Sequence, residues 1–475
     1  MPAAKAGIIP RLSGTFPRLI PQVRIGDPLN EPQSVRPAIA TPRPSACPGL
    51  LRIVAARDGG ICRIKLAGGV LGQAQAMAVG MAAERHAQGV IELTNRANLQ
   101  IRGIGGDHQA LVAALMAAGC GPANPASDDV RNLMLSPTAG LDPLMLCDTR
   151  PLAAQVLASL ENRPRLHELS AKFAVSLDGG EGLVMLEHHH DLWLSALLLD
   201  GQPWLGFGLA GCPAYDRPLA AVPLVQGHDL VMAVLALFLD LARPDQARMR
   251  QVLQDVPAEA FLQHLAPRLD TPLRRDAAVR DWQRPATADG RHLGIYPQAH
   301  DGQVAVGAAP PLGRLDSALL RQVACLAQAY GDGCLHLTPW QSLLLPNVPA
   351  TRAPALLAAL QAAGLLVDVA QPLARLVACT GSAGCAKGLA DTKADALALA
   401  GHLPADTGVH LSGCPRSCAS AHVAPLTLLA VAPGLYDLYQ RDAQHPGFGV
   451  LRARHLTIDA AGAFLNAGSG AALHD

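Results

Sequence analysis

Four cysteines near the C-terminus have the types and spacings to hold a metal centre. Cys379 and Cys385 form a C-x5-C pair in "ACTGSAGCAKG", and Cys414 and Cys418 a C-x3-C pair in "HLSGCPRSCAS". Thiolate sulfur suits soft, electron-rich iron, and a [4Fe-4S] cluster takes one sulfur ligand at each corner. Spacers rich in Gly, Ser and Pro let backbone wrap a cluster closely and aim amide donors at its sulfides. Structural zinc favours shorter knuckles, and scattered structural thiols are the bland alternative. If "CPRSC" opens a helix, Pro415 fits its first turn and Cys414 and Cys418 lie one turn apart.

Other donors are less tightly grouped. His188-His189-His190-Asp191 in "LEHHHDLWL" is the densest run of nitrogen donors. On a strand, His188 and His190 share a face, and imidazole with carboxylate suits a non-haem iron; a polar strand edge explains the same residues without metal. Cys47 in "SACPGL" reads equally as a ligand or as a buried turn cysteine. His410 and His422 flank the second cysteine pair, where strand packing accounts for them as well as a hydrogen bond near the cluster. "RGIGGDH" (102–108) has His108 where a dinucleotide fingerprint needs its third glycine, so it fails. With no nicotinamide or flavin domain in view, electrons must come from an external donor, a ferredoxin-type protein or an NADH-linked reductase.

These residues must be positioned by a chain of 475 residues, enough for several domains, with half the composition apolar. Aromatics are scarce, so Ala, Leu and Val must build the core. Lys+Arg and Asp+Glu balance at 38 each, which argues against a general nucleic-acid or acidic-membrane binder. Eleven cysteines, an odd number, fit a reducing cytoplasm better than a disulfide framework. The apolar run 230–239 is too short for a bilayer, and "MPAAKAGIIPRLSG" does not read as a signal peptide. Residues 1–45, rich in Pro and Arg, read as a flexible tail.

The two halves repeat. "GVIELTNRANLQIRGI" (89–104) matches "GCLHLTPWQSLLLPNV" (333–348) at an offset of 244, and "LVAALMAAG" (111–119) matches "LLAALQAAG" (356–364) at 245. Arg131 meets Arg375, and Thr138-Ala139-Gly140 meets Ser382-Ala383-Gly384, again at 244. Alanine-rich chance matches would not keep that register. Each unit reads helix, strand, polar turn, strand, helix, the last stopped by Gly119 or Gly364. The expected divisions are half-repeats at 46–124 and 289–368, each followed by a larger α+β segment at 125–288 and 369–475. Only the later segment has the four cysteines; Leu141 stands opposite Cys385.

On these motifs the chain resembles the sulfite/nitrite reductase superfamily. The resemblance implies an internally duplicated α+β fold of pseudo-two-fold symmetry, with two ferredoxin-like half-repeats and two larger α+β domains. It implies that Cys379, Cys385, Cys414 and Cys418 hold a [4Fe-4S] cluster, with Cys418 facing a tetrapyrrole. "LTNRANLQIRG" resembles the family's L-T-x-R-x-x-x-Q strand and turn, which gives Arg96 and Gln100 to the macrocycle, with Arg102 nearby. Arg63, Arg131 and Lys172 match further basic positions that would grip tetrapyrrole carboxylates. The reductases read K-F-K where this chain has Lys172-Phe173-Ala174, which thins the positive charge that anion reduction needs.

"RPSACPGLLR" (43–52), "ARDGGICRIKLAGG" and "VGAAPPLGRLDS" (306–317) resemble the precorrin-3B synthase branch of the superfamily. That branch hydroxylates precorrin-3A at C20 with dioxygen and closes a γ-lactone in aerobic cobalamin biosynthesis. It implies a mononuclear non-haem iron, with His188 and His190 as candidate ligands, beside the cluster. The other implied activity is sirohaem-dependent assimilatory sulfite or nitrite reduction.

Overall fold

The computed structural model describes residues 47–106, 108–287 and 292–470, which lie in one compact unit; the tail expected over 1–45 falls outside them. Alternation along Gly59–Ile64 buries Gly60, Cys62 and Ile64, and leaves Arg63 on the other, partly open face. This strand pairs with Leu99–Ile104, which pairs in turn with Val90–Leu93. Helix Gln73–His86 covers the sheet with Ala76, Val79 and Ala83.

Every one of these elements recurs 244 positions later. Gln303–Ala308, Ser317–Tyr330 and Cys334–Leu337 repeat the strand, helix and strand in order. Left-handed backbone recurs as well: Gly69 and Gly313, Ala97 and Gln341, Gly103 and Asn347 all have positive φ. Ala97 and Gln341 occupy matching turns, in which their amides donate to the carbonyls of Thr94 and Thr338. The duplication is therefore one of backbone geometry as well as of residues.

The half-repeats are interlocked rather than side by side. Val70–Gly72 pairs with Cys334–Leu337 of the other half, and Arg314–Asp316 pairs with Val90–Leu93. Each half supplies the outer strand of its partner's five-stranded sheet. One apolar core consequently spans both, joining Leu71, Ile91 and Leu99 to Leu315, Leu335 and Leu343.

The two larger sheets share a second topology. Leu133–Leu135, Val175–Asp178 and His190–Leu199 run parallel, followed by antiparallel Gln202–Gly211 and Ala220–Pro223. Leu376–Ala378, Val409–Ser412 and Leu426–Ala432 repeat the parallel order, followed by Leu435–Gln440 and Val450–Leu456. Both cysteine pairs leave the carboxyl ends of parallel strands, where the loops of such sheets gather ligands. The helical stretch Leu224–Leu241 runs further than the apolar run 230–239 and is, by length and composition alone, long and apolar enough to cross a membrane. Leu230, Val231, Val234, Leu235 and Phe238 are nonetheless buried in the core of the first larger sheet.

Candidate functional site

Leu376–Ala378 ends directly at the first cysteine. Cys379 Sγ accepts the Gly413 amide at 3.2 Å and lies 3.4 Å from the Thr392 hydroxyl. That hydroxyl also donates to the Cys379 carbonyl at 2.7 Å. A Cβ on Gly413 would stand 3.4 Å from Cys379 Sγ and 3.3 Å from the Gly388 Cα, so backbone closes around the sulfur. Gly381, at φ +66, turns the chain so that the Cys385 amide donates back to its carbonyl at 2.9 Å.

The second pair sits in a turn and not at a helix start. Ser417 adopts φ +50, which breaks the helical path that Pro415 alone would permit. The four thiols converge: burial first, then the charges of Cys414, Cys379 and Cys385, push the Cys418 thiol up. Mutually repelling thiolates are what bound iron relieves, since metal binding removes their protons. Four sulfurs, a glycine-lined cradle and an amide aimed at sulfur fit a [4Fe-4S] cluster. Among the described residues, no three His, Cys, Asp or Glu side chains close around a single ion. A cube spreads its ligands over separate corners, so this bears on a lone metal and not on the cluster.

The turn that carries Arg96 touches the second cysteine loop, where the Asn95 side-chain amide donates to the Cys418 carbonyl at 3.3 Å. Gln100, with its amide oxygen turned to Arg63, accepts from Nε at 3.1 Å and from the terminal nitrogen at 2.6 Å. Burial lowers the Arg63 pKa against the opposing charges of Cys47 and Cys418. Burial, then Arg248, pushes Arg96 down to about 10, with Asp191 opposing. Asp191 is already committed: it accepts from Arg248 Nε at 2.9 Å and from the amides of Met249 and Ala174 at 2.8 and 2.9 Å. Arg96 is thus a guanidinium short of an anion, beside Asn98, Asn132, Ala174 and His190. Arg248 was not legible as a partner, because its contact with Asp191 spans 57 positions.

The other expected clamp residues are placed differently. Arg102 is buried and donates to Asp58 at 2.8 and 2.9 Å and to the Gly384 carbonyl at 3.1 Å; Glu92 lies 3.7 Å away. Its charge is spent on tying the first half-repeat to the Cys385 loop, which corrects its reading as a macrocycle ligand. Arg102→Met would strand the Asp58 carboxylate, while Glu92 keeps Arg314, and a cost of about 3 kcal/mol follows from breaking such a buried pair. Urea unfolding should show it as a lowered midpoint at unchanged slope. Arg131 lies 3.1 Å from Glu161, so its charge is balanced there. Lys172 is exposed on a turn. Of the set, Arg96 lines a cleft, and Arg63, bonded to Gln100, is close enough for its charge to act on Arg96.

The histidines depart from the expected strand face. The strand begins at His190, and His188 sits in the bend before it. His190 Nδ1 faces the His188 carbonyl at 2.8 Å, and Asp191 is consumed as described. The run therefore does not assemble a site for a lone iron. His188 instead lies 5.2 Å, ring to ring, from His422, whose Nε2 is 3.4 Å from Glu187. His410 is buried on Val409–Ser412.

Burial and then Arg96 push His190 to about 3; burial and His422 push His410 to about 4; burial pushes His292 to about 4. These folded-state values lie below the unfolded value near 6.5, so the unfolded chain binds more protons at lower pH. The stability contribution is complete above about pH 6.5 and is lost as pH falls through 4. Each histidine adds up to roughly 1.4 kcal/mol per pH unit in that window. Urea midpoints at pH 7.5, 6.0 and 5.0 should fall in that order.

Interlocked half-repeats and two larger sheets of matching topology, the second with cysteine loops at its parallel strand ends, define a duplicated α+β architecture. A family model described as "Nitrite/Sulfite reductase ferredoxin-like half domain" matches residues 55–118 and 296–363. A second, "Nitrite and sulphite reductase 4Fe-4S domain", matches 126–273. The chain belongs to the nitrite/sulfite reductase family. The 126–273 stretch holds Cys147 and Cys212 but none of the four converging cysteines, which lie in its pseudo-symmetric counterpart.

A maize chloroplastic ferredoxin–nitrite reductase is 32% identical over 77% of this chain and 68% of its own length. Ferredoxin–nitrite reductase of Synechococcus elongatus is 30% identical over 78% and 76%. Precorrin-3B synthase of Sinorhizobium sp is 27% identical over 84% and 83%. The structure of Mycobacterium tuberculosis NirA protein superposes with a TM-score of 0.70 at 23% identity, over 86% of this chain and 79% of that one, a likeness of fold. The chain is an oxidoreductase by family.

Proposed function

We propose that this chain is a precorrin-3B synthase, hydroxylating precorrin-3A at C20 with one oxygen atom from dioxygen and closing a γ-lactone. The observation that carries this reading is Ala174. It lines the cleft beside Arg96 and His190, at the position where the family's reductases carry the second lysine of K-F-K. A site built to drive electrons into a small oxyanion needs that charge; a large carboxylated macrocycle needs separated cations and room. Support also comes from the precorrin-3B synthase relative, which aligns over more of both chains than the plant reductases do.

Arg63 and Arg96, with Gln100, would bind the substrate's carboxylates. His190, held neutral near pH 7 with Nδ1 toward the His188 carbonyl, can offer its other ring nitrogen as a hydrogen-bond acceptor at the cleft wall. Cys379, Cys385, Cys414 and Cys418 would hold a [4Fe-4S] cluster, which supplies one-electron transfer when bound. Hydroxylation consumes one dioxygen, two electrons and two protons, and releases one water. The electrons would come from an external donor, ferredoxin-type or NADH-linked, in a reducing cytoplasm. The residues at 188–191 do not fit a lone iron, and no step is assigned to one. We also retain, as proposals, domain divisions at 46–124, 125–288, 289–368 and 369–475.

The test is anaerobic loading with precorrin-3A followed by labelled dioxygen, read by mass spectrometry. One labelled oxygen in the product is expected, and an unlabelled product rejects the oxygenase. The second reading, a sirohaem-dependent sulfite or nitrite reductase, draws on the 30–32% identity to nitrite reductases. An intense Soret band in the purified protein would favour it, and a broad cluster shoulder alone would favour the synthase.

A further inference from the structure

Beneath the first cysteine lies a buried set of charges that neither macrocycle binding nor proton transfer uses. Glu92, on Val90–Leu93, is buried and accepts from Arg314 at 2.7 and 3.1 Å. The Thr380 hydroxyl reaches its two oxygens at 3.3 and 3.2 Å, with Arg102 at 3.7 Å and Lys393 Nζ at 3.8 Å. Lys393, at the start of Thr392–Ala400, is itself buried and donates to the carbonyls of Leu312 at 2.6 Å and Ala378 at 3.3 Å. Every one of these partners is an acceptor, as an ammonium requires.

The geometry brackets Cys379. Ala378 before it is held by the Lys393 ammonium, and Thr380 after it by the Glu92 carboxylate. Thr392, adjacent to Lys393, touches the Cys379 sulfur itself. Two opposite, buried charges thus contact the residues on either side of a proposed cluster ligand, in surroundings from which water is largely excluded. There, charge is weakly screened and acts on whatever charge develops at the sulfur.

We infer that Lys393 and Glu92 set the reduction potential of the cluster, the ammonium favouring the added electron and the carboxylate opposing it. The inference rests on the cluster reading above, but its sign pattern is separate from it. Reduction adds one negative charge to an already anionic centre. Lys393→Met removes a stabilising cation, so the potential falls. Glu92→Gln removes a neighbouring anion while keeping the volume and an acceptor oxygen for Arg314 and Thr380, so the potential rises. A merely structural role for the pair, as glue between half-repeat and cluster loop, would move both variants the same way or strip the cluster from both.

The experiment is a redox titration of full-length reconstituted protein, followed by electron paramagnetic resonance, after iron and acid-labile sulfide are counted. Opposite shifts are expected, each at least tenfold in the one-electron equilibrium, which is about 59 mV. Shifts of the same sign, or none in fully loaded variants, overturn the inference. Thr380→Val, which alters a contact of Glu92 but no charge, should move the potential less than either. If Lys393→Met fails to fold, Glu92→Gln alone decides: an unchanged or lowered potential defeats the inference. Absence of iron and sulfide from the parent protein would instead defeat the cluster reading on which it stands.

Discussion

Cys385→Ala protein should be isolated without a [4Fe-4S] cluster, where the parent holds about four iron and four acid-labile sulfide per chain after anaerobic reconstitution. The effect is expected to be near total because the site has no spare sulfur. Among the described residues four other cysteines are buried: Cys62 and Cys120 lie in the half-repeat core, Cys147 in the core of the first larger sheet, and Cys212 just after Gln202–Gly211. Nor can the three remaining thiols retain iron easily, since each raises the cost of ionising the next and the chelate loses a corner. Turnover should vanish with the spectrum, under either of the two activities considered. Cys325→Ala is the matched control, an exposed thiol on the Ser317–Tyr330 helix, and should load normally. A Cys385→Ala protein with an undiminished cluster spectrum would show that these cysteines are not the ligands.

The cysteine loops were legible because a cluster cradle needs few residue types in a short span. Each cysteine pair has its glycines within the same short motif, and in the fold Gly381 and Gly413 both lie against the first cysteine loop; Thr392 and the 34-position reach from Cys379 to Gly413 were not legible. The duplication was legible for a similar reason: a fixed offset survives in residues that set backbone shape. Ala97 and Gln341 share no chemistry, yet both stand at the left-handed position of the same turn.

What could not be read was anything decided by contacts distant along the chain. The exchanged strands Val70–Gly72 and Arg314–Asp316 are three residues each, too short to show a period, and their partners lie in the other half. Arg102 belongs by local motif to the clamp. Asp58 and Gly384, at separations of 44 and 282, take its charge first. The histidine run fails as a strand face because the strand starts two residues late, and what His188 meets is His422, from the opposite side of the pseudo-symmetry. "CPRSC" is the smallest miss: Pro415 suits a helix start, but the left-handed Ser417 ends it at once.

Arg96→Met should weaken binding of a tetrapyrrole polycarboxylate while leaving the free protein no less stable, and that combination is the test of the cleft. Burial leaves Arg96 charged at neutral pH, with a pKa near 10. The carboxylate beside it is already saturated by Arg248 and two amides. The free protein therefore holds an under-compensated cation, which a ligand carboxylate would complete. A charge-assisted hydrogen bond of this kind is worth about 1.5–3 kcal/mol, or roughly ten- to a hundredfold in Kd. Removing it should cost that affinity, measured by fluorescence or absorbance titration with sirohydrochlorin under nitrogen. The urea midpoint of the free protein should hold or rise, because an unpaired buried charge has gone. Arg248→Met should behave in the opposite way, stranding Asp191 and costing about 3 kcal/mol of stability. If Arg96→Met bound the tetrapyrrole as the parent does, the cleft would not be the macrocycle site; if it lost stability instead, Arg96 would be a structural cation like Arg102.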